Sequence, residues 1–338
     1  MYFNKDRVKC IAEVGINHNG NLNNALKLID AAKESGADTV KFQTFVANQF
    51  CSPELTFSYK SKGVKITENM LEMFERYQLS RDSWYKIHQH CKDVGIEFLS
   101  TPQNLEDLEF LSELGLNAIK IGSDDLNNIP QIAEYAQFGL PIILSSGMGD
   151  LAEIWNAVQT AKGSSGNEVC VLVCTSQYPT PATDVNIRRV TSLRSVLHDC
   201  EVGFSDHTIG VNAAVLAVSL GAIVFEKHFT LNNNDEGPDH WFSADPAALK
   251  VWVDSIQESA LMLGNGCVKP SAIERENKKQ WQRKIVASRD IESGEKFEKE
   301  MLTMRRVSSD FGFSASMLTF VVGLTANRNF NRGEVIVL

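Results

Sequence analysis

The chain has 338 residues, 43% of them hydrophobic, which is enough to bury a large core and suits one large domain plus a small one. Its net charge of −9 argues against nucleic-acid and anionic-membrane partners, whose surfaces attract basic patches, so any anionic substrate must meet locally placed cations. No apolar run reaches the roughly 18 residues of a membrane span, the start MYFNKDRVKC lacks a signal peptide's apolar core, and seven cysteines without a CxxC pair fit reduced thiols. A cytoplasmic protein is expected.

Short β-rich runs alternate with helical patterns from the start to about residue 263. The predicted strands are Val8 to Val14, Thr39 to Gln43, Glu97 to Ser100, Ala118 to Ile121, Pro141 to Leu144, Val169 to Val173, Glu201 to Phe204 and Ile223 to Glu226. Between them, segments such as LNNALKLIDAAKESG carry apolar residues at three- and four-residue spacing and end at a glycine. Eight strand-helix units in a stretch of this length predict an α/β fold, a (β/α)8 TIM barrel over residues 1–263. The long connection from Thr44 to about Leu79 reads either as a functional or partner-binding loop or as a surface insertion. Residues 264–284 are polar and charged and read as a linker. From Ile285 to Leu338 short runs alternate with turn residues, as expected of a small strand-containing domain with little core of its own.

In such a barrel the active site lies at the carboxyl ends of the strands, and all eight predicted ends carry polar side chains. Lys41 and Lys120, with Thr101, Ser123, Ser145 and Ser205, supply two cations and a ring of hydroxyl donors, which is what a phosphate or carboxylate needs. Any one of them alone reads equally as a solvent-facing residue. His207 and His228 close neighbouring strands and can bind one divalent metal, with Asp206, Glu226 and Asp239 nearby, or form a structural pair. His18 and His240 are candidates to orient substrate. Glu13 ends an apolar run, so it either accepts from a hydroxyl and handles a proton or makes a structural pair with Lys41. The cysteines read mostly as core, with Cys170 in a strand and Cys174 just past it.

The stretches IAEVGINHNGN, VKFQTF, FLSTP, IKIGSDDL, LSSGM, CTSQYPTP, GFSDHT and FEKHFTL with EGPDH, in that order, resemble the N-acetylneuraminate synthase family, the sialic-acid synthases. KIVASRDIESGEKF resembles the opening of that family's antifreeze-like, or SAF, domain. The resemblance implies an enzyme of the EC 2.5.1 class: a metal-dependent, aldol-type condensation of phosphoenolpyruvate with an N-acetylated mannosamine-type aldose, giving a nine-carbon 2-keto acid and phosphate. It implies that Lys41, Thr101, Lys120, Ser123, Ser145 and Ser205 hold phosphoenolpyruvate. His207 and His228 would hold Mn²⁺, with Mg²⁺ or Co²⁺ as alternatives. Gln43 and Asp239 would face the sugar, and Glu13, Tyr178 and His228 are the expected catalytic residues. It also implies a domain-swapped homodimer whose SAF domain caps the partner's barrel, with a cap in cis as the alternative.

Three departures bear on the substrate. Where many sialic-acid synthases have Cys-Thr-Asn before Tyr-Pro, this chain has Ser176, at a phosphoenolpyruvate contact. Asp125 stands where they have Glu, and Arg305-Arg306-Val307 replaces their Arg-Pro-Gly turn, leaving Arg306 as the expected tail arginine. Asp125 and the pair Trp241-Phe242 suggest more apolar surface on the sugar side. The expected acceptor is therefore 2,4-diacetamido-2,4,6-trideoxymannose, as in the legionaminate branch, with N-acetylmannosamine as the alternative. A TIM-barrel metal hydrolase is a distant rival, since the triplet after strand 1 is Asn17-His18-Asn19 and not His-x-His. A non-catalytic sugar- or ice-binding protein leaves the two lysines, the hydroxyls and Glu13 without a purpose.

Overall fold

A computed structural model describes residues 2–4 and 7–338. The chain divides into two compact units, Met1–Gly264 and Asn265–Leu338. The first contains β1 (Lys9–Gly15), β2 (Thr39–Thr44), a hairpin of β3 (Thr56–Ser61) and β4 (Val64–Asn69), and then β5 (Glu97–Pro102), β6 (Ile119–Ile121), β7 (Ile142–Ser145), β8 (Val169–Val173), β9 (Glu201–Ser205) and β10 (Val224–His228). Apart from the hairpin, these strands form one eight-stranded sheet in the order β5-β2-β1-β10-β9-β8-β7-β6, and all its ladders are parallel. The two ends of that order, β5 and β6, pack side by side, so the sheet wraps into the predicted barrel with the strands in chain order around it.

The strands form where they do because both faces are covered. Val169–Val173 is buried throughout, as a parallel strand between a barrel interior and a helix layer must be. The intervening helices have local start and stop signals. Asn21 accepts from the Asn24 N–H at the head of Leu22–Glu34, and Asp150 and Glu153 form a reciprocal capping box on Leu151–Lys162. Gly95, at φ +70°, ends Arg81–Val94 in a left-handed cap that a side chain resists. The core lies between sheet and helices, with Trp252 buried against Phe225 and its Nε1 donating to Asp206 at 2.9 Å.

Two regions differ from the sequence reading. The connection after β2 is an ordered insertion: a short helix Ala47–Phe50, the antiparallel β3–β4 hairpin and the helix Met70–Tyr77. It has an apolar cluster of its own, in which Phe45, Ala47, Met73 and Tyr77 are buried with Ile16. The second unit also has more core than its size suggested: Ile285, Ala287, Phe297, Phe330 and Ile336 are fully or almost fully buried around the antiparallel pair β11 (Arg283–Ala287) and β12 (Leu302–Arg306). Large rings such as Phe297 and Phe330, packed 5.9 Å apart, bury much area per residue and compensate for short length. The stretch 264–284 holds a helix, Ala272–Trp281, capped by Ser271 and Glu274, with no buried residue. No helix among the described residues is long and apolar enough to cross a membrane.

Candidate active site

Strand register assembles the site. On the parallel ladders Glu13 stands beside Lys41 on one side and His228 on the other, Gln43 beside Thr101, and Ser205 beside Glu226. Residues two apart share a face of a strand, so Glu226 and His228 point the same way and Lys227 points to the helix layer, where its Nζ donates to Asp206 at 3.1 Å. The β1–β2 ladder shifts register between Glu13 and Gly15. Gly15 takes φ +52°, and a Cβ there would lie 3.2 Å from Glu13 Oε1 and 3.5 Å from Gln43 Nε2, so the missing side chain lets these two polar groups converge. The carboxyl ends surround a cavity of about 640 Å³, lined by Glu13, Lys41, Gln43, Thr101, Lys120, Ser123, Ser145, Ser176, Tyr178, Ser205, His207, His228 and Asp239 among others.

The cavity floor is a set of buried charges. Lys41 Nζ lies 2.8 Å from Glu13 Oε2 and 3.6 Å from Glu226 Oε2, and donates to Thr101 Oγ1 at 3.3 Å. Lys120 Nζ donates to Ser145 Oγ at 2.7 Å and to the Ile121 carbonyl at 2.8 Å. Burial opposes every one of these charges, and the neighbours decide the outcome. For Glu226, Lys120 and Lys41 outweigh burial and hold the carboxyl down at about 2. For Glu13, burial wins over Lys41, with Glu226 adding to it, and the carboxyl is pushed up to about 7. Glu13 and Glu226 raise Lys41 against burial, whereas burial lowers Lys120. The floor thus sets two buried lysines beside Glu226, whose carboxyl they hold down, and Glu13, whose carboxyl burial raises, so that cations are placed locally inside an acidic protein. Ser123 Oγ accepts from the Gly147 N–H at 3.0 Å, and Ser205 Oγ donates to Glu226 Oε1 at 3.0 Å, which orients both hydroxyls into the cavity wall.

Above the floor stand the imidazoles of His207 and His228, with ring centroids 5.4 Å apart. His207 Nδ1 donates to the Thr175 carbonyl at 2.8 Å, which orients the ring and turns Nε2 to Ser205 Oγ at 3.3 Å. His228 Nδ1 is buried without a hydrogen-bond partner, 4.0 Å from Asp239 Oδ2. Burial, with His207 adding to it, pushes His228 well below its ordinary value, so the ring is neutral and able to donate a lone pair. Tyr178 stacks on His207 at 4.2 Å and meets His228 edge-on at 5.6 Å. Among the described residues no group of three or more His, Cys, Asp and Glu is arranged to hold an ion. Two neighbouring imidazoles, His228 with an unpartnered Nδ1 and His207 with an Nε2 held only by the Ser205 hydroxyl, fit a metal that takes most of its ligands from water and substrate, as a catalytic ion does.

A model of the NeuB family matches residues 28–268, and one of the SAF domain matches residues 282–338. The chain belongs to the NeuB family. The N,N'-diacetyllegionaminic acid synthase of Campylobacter jejuni is 39% identical over 329 residues, covering 96% of this chain and 98% of that one. The N,N'-diacetyllegionaminic acid synthase of Legionella pneumophila is 37% identical over 332 residues, 97% and 92% of the two chains. Among solved structures, the N-acetylneuraminic acid synthetase of Leptospira borgpetersenii superposes with a TM-score of 0.72 at 30% identity, over 81% of this chain and 90% of that one.

Within this NeuB-family barrel several expected residues lie elsewhere. Asp125 turns toward the next helix, where its Oδ1 accepts from Asn128 Nδ2 at 3.3 Å, and it is Asp124 that lines the cavity. Asp206 lies on the outer face of β9, bound by Lys227 and Trp252, and takes no part near the imidazoles. His18 is buried against Phe42 and Trp84, and His240 bonds Thr230 and Asn19, so both brace the wall and do not line the cavity. Arg306 belongs to the second unit, exposed at the end of β12. Cys174 is not plain core: it lines the cavity, and although burial opposes its ionisation, His207, 3.9 Å from its sulfur, and Lys120 lower the thiol. The placement of the aspartates predicts that Asp124→Ala lowers kcat/KM for the acceptor sugar by about 10-fold or more, the worth of one hydrogen bond to a charged group. Asp125→Asn, measured in the same assay, stays near wild type.

Proposed function

We propose that the protein is a nonulosonic acid synthase, a transferase that joins phosphoenolpyruvate to an N-acetylated mannosamine-type aldose and releases phosphate. The favoured acceptor is 2,4-diacetamido-2,4,6-trideoxymannose, giving N,N'-diacetyllegionaminate, and the alternative is N-acetylmannosamine. The observation that carries this reading is one cavity in which a lysine- and hydroxyl-lined floor lies beneath two neighbouring imidazoles, one of them with an unpartnered nitrogen. The two relatives named for that product support the choice of acceptor.

In this reading Lys41 and Lys120 take the phosphate and carboxylate oxygens of phosphoenolpyruvate through charge-assisted bonds, and Thr101, Ser123, Ser145, Ser176 and Ser205 supply further polar contacts. A divalent ion held by His207 and His228, Mn²⁺ in this reading, would supply Lewis-acid polarisation of the acceptor's aldehyde. C3 of the enol then bonds to the aldehyde carbon, whose oxygen gains a proton. Water adds at C2 and loses one, and the tetrahedral carbon expels phosphate by C–O cleavage as its hydroxyl becomes the ketone and gives its proton to the departing phosphate. Glu13, poised between its two protonation states near neutrality, is placed to carry that proton from the water to the new hydroxyl. Gln43, Tyr178 and Asp239 orient the sugar. The further reading is a cytoplasmic, domain-swapped homodimer in which Arg306, within the SAF match at residues 282–338, reaches the sugar of the other copy, with a cap in cis as the alternative.

The test is phosphate release from phosphoenolpyruvate and Mn²⁺ with each sugar in turn. Turnover is expected to be faster with the diacetamido sugar. A clear preference for N-acetylmannosamine sinks the legionaminate branch, and phosphate release that needs no aldose sinks the synthase reading in favour of a hydrolase.

A further inference from the structure

The cavity has two chemically different ends. Its floor is lysine, carboxylate and hydroxyl, but its outer wall is aromatic and thioether, and most of that wall comes from the insertion between β2 and β5. Phe57 and Tyr59 share one face of β3, their rings nearly parallel at 25° with centroids 5.8 Å apart. Phe74 stands beside them, packed on Phe45 and Phe50 at 5.2 and 4.8 Å. Trp241 and Phe242 form the other side. The hydroxyl of Tyr59 is already committed: it donates to Glu68 Oε1 at 2.6 Å, and Arg76 holds Glu68 in turn at 2.8 Å. What Tyr59 offers the cavity is therefore its ring.

This wall is fixed in place. The insertion has an apolar cluster separate from the barrel core, and three contacts latch the hairpin to the loop after β10. Ser61 Oγ accepts from the Gly237 N–H at 3.3 Å, Lys62 Nζ pairs with Glu236 at 2.8 Å, and Lys60 Nζ lies 5.1 Å from the centre of the Trp241 ring. A surface held this way selects by shape, because little ordering is left to be done when the ligand arrives.

We propose that the insertion is the acceptor-selecting element, and that Phe57, Tyr59 and Trp241 take the apolar substituents on the distal carbons of the sugar. The proposal rests on the synthase reading and deepens it. The aldehyde carbon must reach the phosphoenolpyruvate on the floor, so the far end of the open-chain aldose points to the outer wall. A methyl group there, on C6 or on a second acetamido group, exchanges water for ring surface and gains. A hydroxyl set against the same rings gives up water and gains no hydrogen from Tyr59, whose phenol is engaged with Glu68.

The experiment is steady-state phosphate release by the full-length protein with saturating phosphoenolpyruvate and Mn²⁺. It compares kcat/KM for 2,4-diacetamido-2,4,6-trideoxymannose with that for N-acetylmannosamine in wild type, the Phe57→Ser/Tyr59→Ser double variant, Trp241→Ser and Tyr59→Phe. A contact of methyl size is worth about 10–200-fold, so the wild-type preference should shrink by at least about 10-fold in the first two variants. The KM for phosphoenolpyruvate should hold, and Tyr59→Phe, which keeps the ring, should keep the preference. If the double variant does not fold, Trp241→Ser, on the opposite side of the wall, carries the same test. A fall in both sugars by the same factor, or an unchanged preference in Trp241→Ser, overturns the proposal. A wild type that releases phosphate with neither sugar overturns the synthase reading itself and the proposal with it.

Discussion

A Lys41→Met variant is expected to lose phosphoenolpyruvate binding and a large part of its stability together. Lys41 is almost fully buried between Glu13 and Glu226, and methionine keeps its length while removing the charge both carboxylates face. Removing one member of a buried ion pair leaves an uncompensated charge, at a cost of about 3–5 kcal/mol. Urea denaturation should show this loss, and adding Glu13→Gln to the variant should recover part of it, because fewer unpaired carboxylates then remain. The KM for phosphoenolpyruvate should rise by about 10–100-fold, the worth of a hydrogen bond to a charged group. An unchanged KM would remove Lys41 from the anion site and leave it a purely structural lysine. The double substitution also separates the two roles, since Glu13→Gln can restore stability but cannot restore a cation to the floor.

The second large effect is the reverse in kind. His228→Ala should abolish metal-dependent turnover while costing little stability. His228 Nδ1 has no hydrogen-bond partner within the protein, so its removal orphans nothing, and the neutral ring leaves no charge behind. Lewis-acid stabilisation is worth several kcal/mol, so kcat should fall on the order of 10³-fold, and calorimetric titration with Mn²⁺ should show the site weakened. A structural histidine would behave in the opposite way, with lost stability and retained metal response. A variant that binds Mn²⁺ and turns over like wild type takes His228 out of the metal site.

The barrel was legible because its signals are local. A parallel strand covered on both faces reads as an unbroken apolar run, and all eight predicted runs fall within two residues of the observed strands. The polar exits of those runs are equally plain, and strand alternation alone separated Glu226 from Lys227. The hairpin was also signalled, by the alternation of Phe57 and Tyr59 before Lys62-Gly63, a two-residue turn with φ of 49° and 81°, the positive values such turns require. Its role was not, because an alternating aromatic face shows only that something is packed on it. The errors cluster where the chain leaves a strand. Asp124 and Asp125 are adjacent in a turn without periodicity, and which of them enters the cavity depends on Asn128, three residues further on. Asp206 and His207 follow directly on the end of β9 and face opposite ways, and His18 and His240 look like site residues in sequence but pack behind it.

The sequence by itself determined which residues each strand delivers to the carboxyl rim: Glu13, Lys41, Lys120, His207 and His228. Covalent geometry makes side chains alternate along any strand, so this needs no knowledge of neighbours. Only the tertiary structure decided which of these residues face one another. Glu13 meets Lys41 and Glu226 meets Ser205 because barrel closure and strand register put them there, and a one-residue slip would part them. The charges follow from those pairings. Glu13 and Glu226 are the same side chain on neighbouring strands, yet burial raises one while two lysines hold the other down, since electrostatic balance depends on distances across the barrel that no single strand encodes.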